Sequence, residues 1–502
     1  MTLNTSPRQH VKTIIVGTGF AGLCMGMALK RRGDNDFLLI ERADDVGGTW
    51  RDNTYPGAAC DVPSHLYSFS HRLNPDWSRT FSPGPEIQEY LRSSAREAGL
   101  LPHTVFNADM TSAQWDSAEQ RWHVATTAGA YTAQFVITGT GHLADESYPS
   151  VPGLESFTGE LFHSARWNHD VSLEGKRIGI VGTGASAIQI VPELAKIASE
   201  LVVFQRTAPY IIPRQEREYT DGEKRLFRRN PDTMRQLRSQ LFWEGENSYA
   251  QRRAIPQFLE AGKNMALRHL ADQVEDADLR AKLTPDYEPG CKRVLISNTY
   301  YPALQAPVTT LEASALQHVE GSTAIAASGE TYDLDVLVFA TGFEATEPPY
   351  AQLVYGKEGL NLSKHWEKGM QAYDSVTVAG FPNLFSINGP NTSLGHNSIV
   401  YIIESQVNYI LGALDYVAAN QAKSIEADPA AEEAYVEKIQ QNAQGTVWIN
   451  GGCKSWYVDE RSGRLTLIWP DFGYAFRDEN GEFSPDGYTL DQSVAAPVTT
   501  SV

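Results

Sequence analysis

The chain has 502 residues, of which 42% are hydrophobic, 10% aromatic and 21% charged. These values are ordinary for a globular protein and exclude a disordered, collagen-like or coiled-coil chain. The net charge of −19 also excludes a general nucleic-acid-binding protein, because neutralising phosphates requires a basic surface. Any anionic ligand must therefore be bound by local groups.

The four cysteines, Cys24, Cys60, Cys291 and Cys453, are far apart and form no C-x-x-C pair. Their spacing predicts no metal site and no redox-active dithiol, and it favours a reducing compartment without disulfides. The polar N-terminus lacks the apolar core of a signal peptide, and no apolar run reaches the ~18 residues of a membrane-spanning helix. We therefore expect a cytoplasmic protein without a membrane span.

Hydrophobic periodicity predicts the elements of the chain in order. Several short apolar runs are typical of strands buried on both faces. Residues 215–290 interleave Lys, Arg and Glu and contain few β-branched runs, which indicates helices. The predicted strands span residues 11–16, 37–40, 122–126, 135–138, 201–204 and 334–340, and further predicted helices span 23–32 and 399–418.

Two strand–glycine–helix units, starting near residues 12 and 176, predict an α/β fold with two Rossmann-like dinucleotide-binding domains, three-layered, and a helical insertion. The last ~12 residues are expected to be a frayed tail. The predicted domains are a first domain over residues 1–150 and 336–502, a second over 151–215 and 291–335, and the helical insertion over 216–290.

The first unit carries Gly17-x-Gly19-x-x-Gly22, a pattern typical of pyrophosphate binding. Gly17 allows a tight turn, Gly19 lets the backbone approach a phosphate, and Gly22 lets the helix pack closely on the strand. The N-terminus of that helix supplies N–H groups to an anion. Glu41 ends the next strand, where an acid can bind ribose hydroxyls.

The second unit repeats this pattern at residues 182–187 but ends its second strand differently, with Arg206 and Thr207 in place of the acid. An acid would repel a 2′-phosphate, whereas arginine can pair with it. We therefore predict NADPH in the second unit and FAD in the first, with hydride transfer between them. The residues expected to bind NADPH here are Gly182, Thr183, Gly184, Ser186, Ala187, Arg206 and Thr207.

Four motifs make the chain resemble the class B flavoprotein monooxygenases, specifically the FAD- and NADPH-dependent Baeyer–Villiger monooxygenases. The resemblance runs from about residue 12 to residue 476. The sequence departs from the family pattern at Asn168 and at residues 371–376, which bears on the substrate more than on the fold. The motifs are Phe157-x-Gly159-x-x-x-His163-x-x-x-Trp167, Gly47-Gly48-Thr49-Trp50-x-x-x-x-Tyr55-Pro56-Gly57-x-x-x-Asp61, Ala340-Thr341-Gly342-Phe343, and Cys291-Lys292-Arg293 followed by Tyr300-Tyr301.

The resemblance implies a reaction and two catalytic residues. In this family reduced flavin and O2 give a C4a-peroxyflavin, which inserts one oxygen beside a ketone carbonyl to give an ester or lactone and water. A fixed positive charge must hold the anions that form, and arginine suits this because it stays protonated. Arg293 is expected to be that cation and Asp61 to orient it. The expected partners are O2 and a linear aliphatic, cyclic or aryl ketone, for a monomer or homodimer.

The resemblance also assigns binding residues. Lys292 is expected to join Arg206 and Thr207 on the 2′-phosphate. His163 is expected to satisfy a local hydrogen bond in a connector that acts as a hinge, and not to act as a base. The further residues expected to contact FAD are Phe20, Thr49, Trp50, Asp61, Tyr67 and Met110.

Three other interpretations are open. The same cofactors could oxygenate the nitrogen of amines or the sulfur of sulfides, but Arg293 favours an anionic, nucleophilic oxidant. A disulfide reductase would need a vicinal dithiol near the flavin, and no C-x4-C motif is present. A non-enzymatic NADPH-binding regulator would be colourless when purified.

Overall fold

Short strands and amphipathic helices alternate in a computed structural model that describes residues 9–492. The strands, in chain order, are β1 (Gln9–Val16), β2 (Phe37–Ile40), β3 (Thr104–Val105), β4 (Met110–Asp116), β5 (Arg121–Thr126), β6 (Gly129–Thr138), β7 (Glu160–His163), β8 (Arg177–Val181), β9 (Glu200–Phe204), β10 (Ile211–Ile212), β11 (Leu295–Ile296), β12 (Thr309–Glu312), β13 (Leu316–Glu320), β14 (Thr323–Ala326), β15 (Thr331–Asp333), β16 (Val336–Phe339), β17 (Val354–Tyr355), β18 (Leu384–Ser386), β19 (Ser424–Ala427) and β20 (Tyr488–Asp491).

The α-helices connect these strands and cover both faces of the sheets. They are α1 (Phe20–Arg31), α2 (Thr49–Asp52), α3 (Gly84–Glu97), α4 (Ala187–Leu194), α5 (Asp221–Arg229), α6 (Pro231–Asn247), α7 (Tyr249–Arg252), α8 (Pro256–Gln273), α9 (Ala277–Lys282), α10 (Tyr300–Leu304), α11 (Leu362–His365), α12 (Ile399–Ala419), α13 (Pro429–Ala443), α14 (Val447–Asn450) and α15 (Gly473–Asn480). Short 3-10 turns span Leu101–His103, Leu154–Ser156, Ser164–Arg166, Pro349–Leu353 and Lys357–Gly359.

The first sheet is built around β1, which pairs in parallel with β2 and β6. Its strand order is β17-β4-β5-β6-β1-β2-β3, and β18 also pairs with β6. Val16 lies opposite both Ile40 and Thr138. Because parallel strands end at the same edge, the glycine loop after β1 and Glu41 after β2 meet at that edge.

The second sheet is parallel throughout, with strand order β12-β9-β8-β16-β7. Val181 at the end of β8 lies opposite Phe204 and Phe339. The glycine loop after β8 and Arg206 after β9 therefore share one edge of this sheet. A crevice at the carboxyl edge of such a sheet is where nucleotides bind.

The structure corrects one predicted boundary. We expected the strand before Ala340-Thr341-Gly342-Phe343 to return to the first domain, starting at residue 336. Instead, β16 is a central strand of the second sheet, between β8 and β7. The strand that returns to the first sheet is β18. A continuous apolar run marks a buried strand but does not specify its sheet, so the sequence could not decide between the two.

Most predicted elements lie close to the observed ones. The strand expected at 37–40 coincides with β2, and the helix expected at 399–418 is α12. Helix α1 begins at Phe20, earlier than expected, because Gly19 is its N-cap. Helices α5 to α9 fill the segment expected to be helical, and β10 and β11 at its two ends pair with each other. The expected frayed tail lies largely outside the described residues.

Helix α1 is buried by the long helix α12 on one side of the first sheet. Ten of its twelve residues are buried, and the eight of these that are not glycine share one apolar cluster with Val400, Ile403 and Val407 of α12. This burial holds the N-terminus of α1 at the edge where the glycine loop lies. Within residues 9–492, no helix is long and apolar enough to cross a membrane.

Candidate active site

The first glycine loop has the geometry of a pyrophosphate cradle. Gly17 adopts a φ of +96°, and a Cβ there would lie 2.7 Å from the carbonyl oxygen of Gly139. A Cβ at Gly22 would overlap the carbonyl oxygen of Gly17. Gly19 caps α1 without any side-chain hydrogen bond, so the first N–H groups of α1 remain available to an anion.

Glu41 lies at the rim of this loop and fixes its shape. Its carboxylate is buried and accepts hydrogen bonds from the backbone and hydroxyl of Thr18, at 3.0 and 2.6 Å. Arg51 approaches the same carboxylate at 2.8 Å. Met110, the first residue of β4, is buried two residues after Ala108, whose N–H donates to the carbonyl oxygen of Glu41 at 2.8 Å. The structure thus brings Glu41 and Met110 to the same edge.

Aromatic side chains form a wall beside the loop. The indole nitrogen of Trp50 donates to the Tyr67 hydroxyl at 3.1 Å, and the Phe20 and Tyr67 ring centroids are 4.9 Å apart. A Cβ at Gly48 would lie 3.1 Å from the Cα of Gly19, so α2, which starts at Thr49, lies close against the loop. This cluster offers flat apolar surface to a ring system next to the phosphate cradle.

The second glycine loop repeats the cradle. Gly182 has a φ of +114°, and a Cβ there would overlap the carbonyl oxygen of Ala340. A Cβ at Gly184 would meet nothing within 4 Å, so this loop is open toward a ligand. The hydroxyl of Thr183 donates to the carbonyl oxygen of Thr207 at 3.0 Å, which ties the loop to the end of β9. Ser186 immediately precedes α4, which starts at Ala187.

Two cations, Arg206 and Lys292, lie together near this loop, with Asp286 as the acid whose charge reaches Lys292. Burial lowers the pKa of Lys292, and the positive charge of Arg206 lowers that pKa further. Lys292 also lies over the Tyr287 ring, at 5.3 Å from its centroid. Among residues 9–492, no acidic side chain lies within 4.0 Å of Arg206 or Lys292. Two like charges held together in this way fit a dianionic phosphate.

Arg293 and Asp61 meet although 232 residues separate them. The Nε of Arg293 donates to Oδ2 of Asp61 at 2.7 Å. Burial alone would raise the pKa of Asp61, but the Arg293 charge and hydrogen bond outweigh it and hold that pKa below its usual value. The attraction of Asp61 correspondingly raises the pKa of Arg293. About a third of the Arg293 side chain, 34%, is exposed. The site therefore holds a permanent cation that a small molecule can reach.

The contact between Arg293 and Asp61 depends on how the two strand–glycine–helix units pack against each other. Tyr55 donates to Oε1 of Gln189 in α4 at 3.0 Å, and Nε2 of Gln189 donates to the carbonyl oxygen of Ala59 at 3.0 Å. The segment that carries Asp61 is thereby fastened to the second unit. A cavity of about 370 Å³ lies between the units and is lined by Arg51, Thr54, Ala165, Arg166 and Trp167, among others.

The structure overturns the expectation that the cysteines are unpaired. Cys291 and Cys453 form a disulfide across 162 residues of sequence. Spacing along the chain cannot reveal a pair that only the fold brings together. The bond joins the residue two positions before Arg293 to the loop that carries Trp456 and Tyr457. The other two cysteines, Cys24 and Cys60, are buried free thiols.

Sequence reasoning also did not assign a role to Tyr457. This residue is 3% exposed, and its hydroxyl lies beside the guanidinium of Arg293. Nothing in the spacing of the sequence could place the phenol next to an arginine 164 positions earlier.

His163 behaves as a structural residue. It ends β7, its side chain is fully buried, and its Nδ1 accepts a hydrogen bond from the N–H of Ala165 at 3.1 Å. Burial lowers its pKa to about 4. The ring lies against the Tyr148 and Phe343 rings, with centroids 5.4 and 5.9 Å away. This setting suits a packing residue better than a base that exchanges protons with substrate.

Comparison with known proteins agrees with this geometry. Residues 10–358 match the family described as flavin-binding monooxygenase-like. The chain is 42% identical to a Baeyer-Villiger monooxygenase of Pseudomonas aeruginosa over 98% of this chain and 94% of that protein. It is 45% identical to a Baeyer-Villiger monooxygenase of Streptomyces coelicolor, over 94% of this chain and 91% of the other.

A solved structure is similar over nearly the whole chain. Cyclohexanone monooxygenase from Rhodococcus sp. Phi1, bound to NADP+, superposes with a TM-score of 0.87 at 27% identity, covering 97% of this chain and all of that one. The expected fold class and the expected FAD and NADPH are thereby confirmed. The chain belongs to the flavin-binding monooxygenase-like family and is an enzyme that uses FAD and NADPH.

Proposed function

We propose that the protein catalyses Baeyer–Villiger oxidation with Arg293 and Asp61 as its catalytic pair. A ketone, O2, NADPH and a proton give an ester or lactone, NADP+ and water. One oxygen atom enters the bond between the carbonyl carbon and its neighbour, and the other leaves as water. The expected substrates are linear aliphatic, cyclic or aryl ketones.

The observation that carries this proposal is the accessible guanidinium of Arg293, fixed by Asp61 at 2.7 Å. Negative charge develops on oxygen both when the oxidant forms and when it adds to a carbonyl. A fixed cation that needs no reorganisation lowers the energy of both anions. Because arginine stays protonated, it holds such anions without giving up a proton. Oxidation of a sulfide is electrophilic and has no comparable need.

The cofactors would be held by the two cradles. FAD would lie on the Gly17–Gly22 loop, with Glu41 near its ribose and Trp50 and Tyr67 beside its ring. NADPH would lie on the 182–187 loop, with Arg206, Thr207 and Lys292 at its 2′-phosphate. When bound, these cofactors supply hydride and activated oxygen. The chain itself binds them, excludes water and provides the cation.

We also propose that the enzyme works in the cytoplasm as a monomer or homodimer. The cytoplasmic location is supported by the use of diffusible NADPH and is compatible with the lack of a spanning helix among the described residues. The disulfide between Cys291 and Cys453 is not expected in a reducing cytoplasm. Thiol trapping in intact cells, followed by mass spectrometry, measures its oxidation state directly.

The experiment that tests the function is NADPH consumption with a panel of ketones, together with product analysis. We expect esters or lactones in amounts that match the NADPH consumed. The panel also includes a sulfide, which tests the alternative activity, oxygenation of sulfur. Sulfoxide formation with no ester from any ketone would contradict the proposal.

Asp61→Asn is expected to lower ester formation by about 10-fold to 100-fold, because an uncharged amide orients the guanidinium less firmly. Reduction of the flavin by NADPH, followed by stopped-flow absorbance, is expected to stay within about twofold of wild type. Asp232→Asn, in the exposed ion pair with Arg235, is the matched control and leaves both rates unchanged.

The same substitution has a pH signature. Because the folded pKa of Asp61 is lowered, the carboxylate stabilises the fold above the ordinary aspartate value of about 3.9. This contribution is lost as the pH falls through the folded pKa. Urea unfolding should therefore separate wild type from Asp61→Asn by about 1–3 kcal/mol at pH 7, with the gap closing below about pH 4. A gap that persists in acid would contradict the charge-based role.

A further inference from the structure

Arg252 is a buried arginine that lies next to the proposed catalytic pair, Arg293 and Asp61. The proposed mechanism assigns no role to Arg252. It ends α7 and is 8% exposed. Its stem packs against two glycines, since a Cβ at Gly290 would lie 3.2 Å from its Cδ and one at Gly395 would lie 3.7 Å from its Nε. Gly290 is three residues before Arg293, so both arginines reach the same part of the structure.

The guanidinium of Arg252 lies near the Arg293–Asp61 pair. It repels the guanidinium of Arg293, and it attracts the oxygen of Tyr457. Arg252 is outside that pair, because the carboxylate of Asp61 bonds to Arg293. Burial, together with the repulsion from Arg293, lowers the pKa of Arg252 to about 10.

Two other arginines of this chain, both less buried than Arg252, lie beside carboxylates. Arg238 has Glu404 at 3.7 Å in addition to three backbone carbonyl oxygens. Arg293 has Asp61. Arg252 donates to the carbonyl oxygen of Gly395 at 2.8 Å and to the side-chain oxygen of Gln251. Within residues 9–492 no carboxylate lies within 4.0 Å of it.

The acid near this arginine, Glu246, already has hydrogen-bond partners. Glu246 accepts hydrogen bonds from Asn397 at 2.6 Å and from the N–H of Tyr474 at 3.1 Å, and it lies 3.2 Å from His396. The positive charge of Arg252 disfavours protonation of His396 in this cluster. A buried cation without a counter-charge costs several kcal/mol, and an anionic ligand would offset that cost.

The anions of the cofactors have other binding groups. The pyrophosphates have the two glycine loops, and the 2′-phosphate has Arg206 and Lys292. The negative charge that develops during the reaction has Arg293. Under the proposed function, an anionic group of the substrate is the remaining candidate partner of Arg252.

We propose that Arg252 binds a carboxylate of the substrate, so that the enzyme is specific for ketones that carry an anionic group at a distance from the carbonyl. This inference rests on the proposed function and names the substrate class of the same site. A guanidinium can hold a carboxylate through two parallel hydrogen bonds, and Arg252 has five N–H groups, of which the two protein contacts occupy only part. The bound carboxylate would place the carbonyl carbon near Arg293.

The test compares methyl ketones that end in a carboxylate, from 4-oxopentanoate to 10-oxoundecanoate, with uncharged alkan-2-ones of matched length. For the wild type we expect the best oxo acid to exceed its matched ketone in kcat/KM by at least about 10-fold. Arg252→Met is expected to lower kcat/KM for that acid by about 100-fold, as for a lost charged hydrogen-bond pair. The value for the uncharged ketone should stay within about threefold.

Two variants separate binding from folding. Arg252→Lys keeps the charge and should recover part of the oxo-acid activity. Arg253→Met is the matched control, because Arg253 is the exposed neighbour of Arg252 and donates to backbone oxygens of Asn442 and Gln444 instead of the Gly395 carbonyl, and it should not change the preference for the oxo acid. Calorimetric titration of the oxidised holoenzyme with the same oxo acid gives a second readout, and Kd should rise with Arg252→Met.

The outcomes distinguish this inference from the function it rests on. Equal use of oxo acids and uncharged ketones by the wild type overturns the role of Arg252 while leaving Baeyer–Villiger oxidation in place. Equal loss of both substrates with Arg252→Met also overturns it and assigns Arg252 to support of the Gly395 loop. If no ketone of either class gives an ester, the proposed function fails, and the calorimetric titration still decides whether Arg252 binds a carboxylate.

Discussion

Arg293→Ala is expected to abolish ester formation, with a loss of at least about 100-fold to 1,000-fold relative to wild type. The variant lacks the cation that holds negative charge on oxygen, and it leaves the Asp61 carboxylate without its partner at 2.7 Å. NADPH should still be consumed, because the proposed role of Arg293 begins after hydride transfer to the flavin. The measurement is the ratio of ester to NADPH consumed, with hydrogen peroxide assayed as the alternative product.

The control for this variant is Arg235→Ala, which removes an arginine from an exposed ion pair. It should leave the product ratio unchanged. Arg293→Lys keeps the charge but loses the fork that Asp61 orients, so a partial recovery would separate charge from geometry. Ester formation by Arg293→Ala at the wild-type rate would show that the assigned cation is wrong.

Replacing Arg206 and Lys292 together by alanine is expected to raise KM for NADPH by about 100-fold or more, while KM for NADH changes little. Each side chain can give the 2′-phosphate a charged hydrogen bond worth about 1.5–3 kcal/mol. NADH lacks that phosphate, so the loss should be specific. Steady-state kinetics with both nucleotides measures the change in preference.

A surface lysine of the same domain provides the comparison. Lys196→Ala breaks an exposed pair with Glu193 at 2.7 Å and should affect neither nucleotide. The pKa of Lys292 is already lowered by burial and by Arg206, so Arg206→Ala alone should let that pKa rise. An equal rise of KM for NADH and NADPH in the double variant would place these cations away from the phosphate.

Local patterns predicted the nucleotide cradles because each depends on a few adjacent residues. The need for glycine at Gly17 and Gly182 follows from positive φ and close backbone contacts, which a glycine pattern records directly. The pairing of Asp61 with Arg293 was expected from motifs known in a family. The pairing could not be predicted from the residues alone, because the sequence of neither motif indicates a contact with the other motif.

Long-range features were the ones that sequence reasoning missed. The disulfide between Cys291 and Cys453, the position of Tyr457 and the unpaired charge of Arg252 all arise where the segment around residue 290 meets the C-terminal part of the chain. The prediction of which sheet contains β16 was wrong for the same reason. Each depends on how distant elements dock, and periodicity describes only the element itself.

In the proposed reaction, one oxygen atom of O2 is inserted beside a ketone carbonyl with the help of Arg293. The most direct test is turnover of a ketone under ¹⁸O2, with mass spectrometry of the product. We expect an ester or lactone with one ¹⁸O in the bridging position, formed by wild type in proportion to the NADPH consumed and lost in Arg293→Ala. Unlabelled product, or labelled ester from both proteins at equal rates, would contradict it.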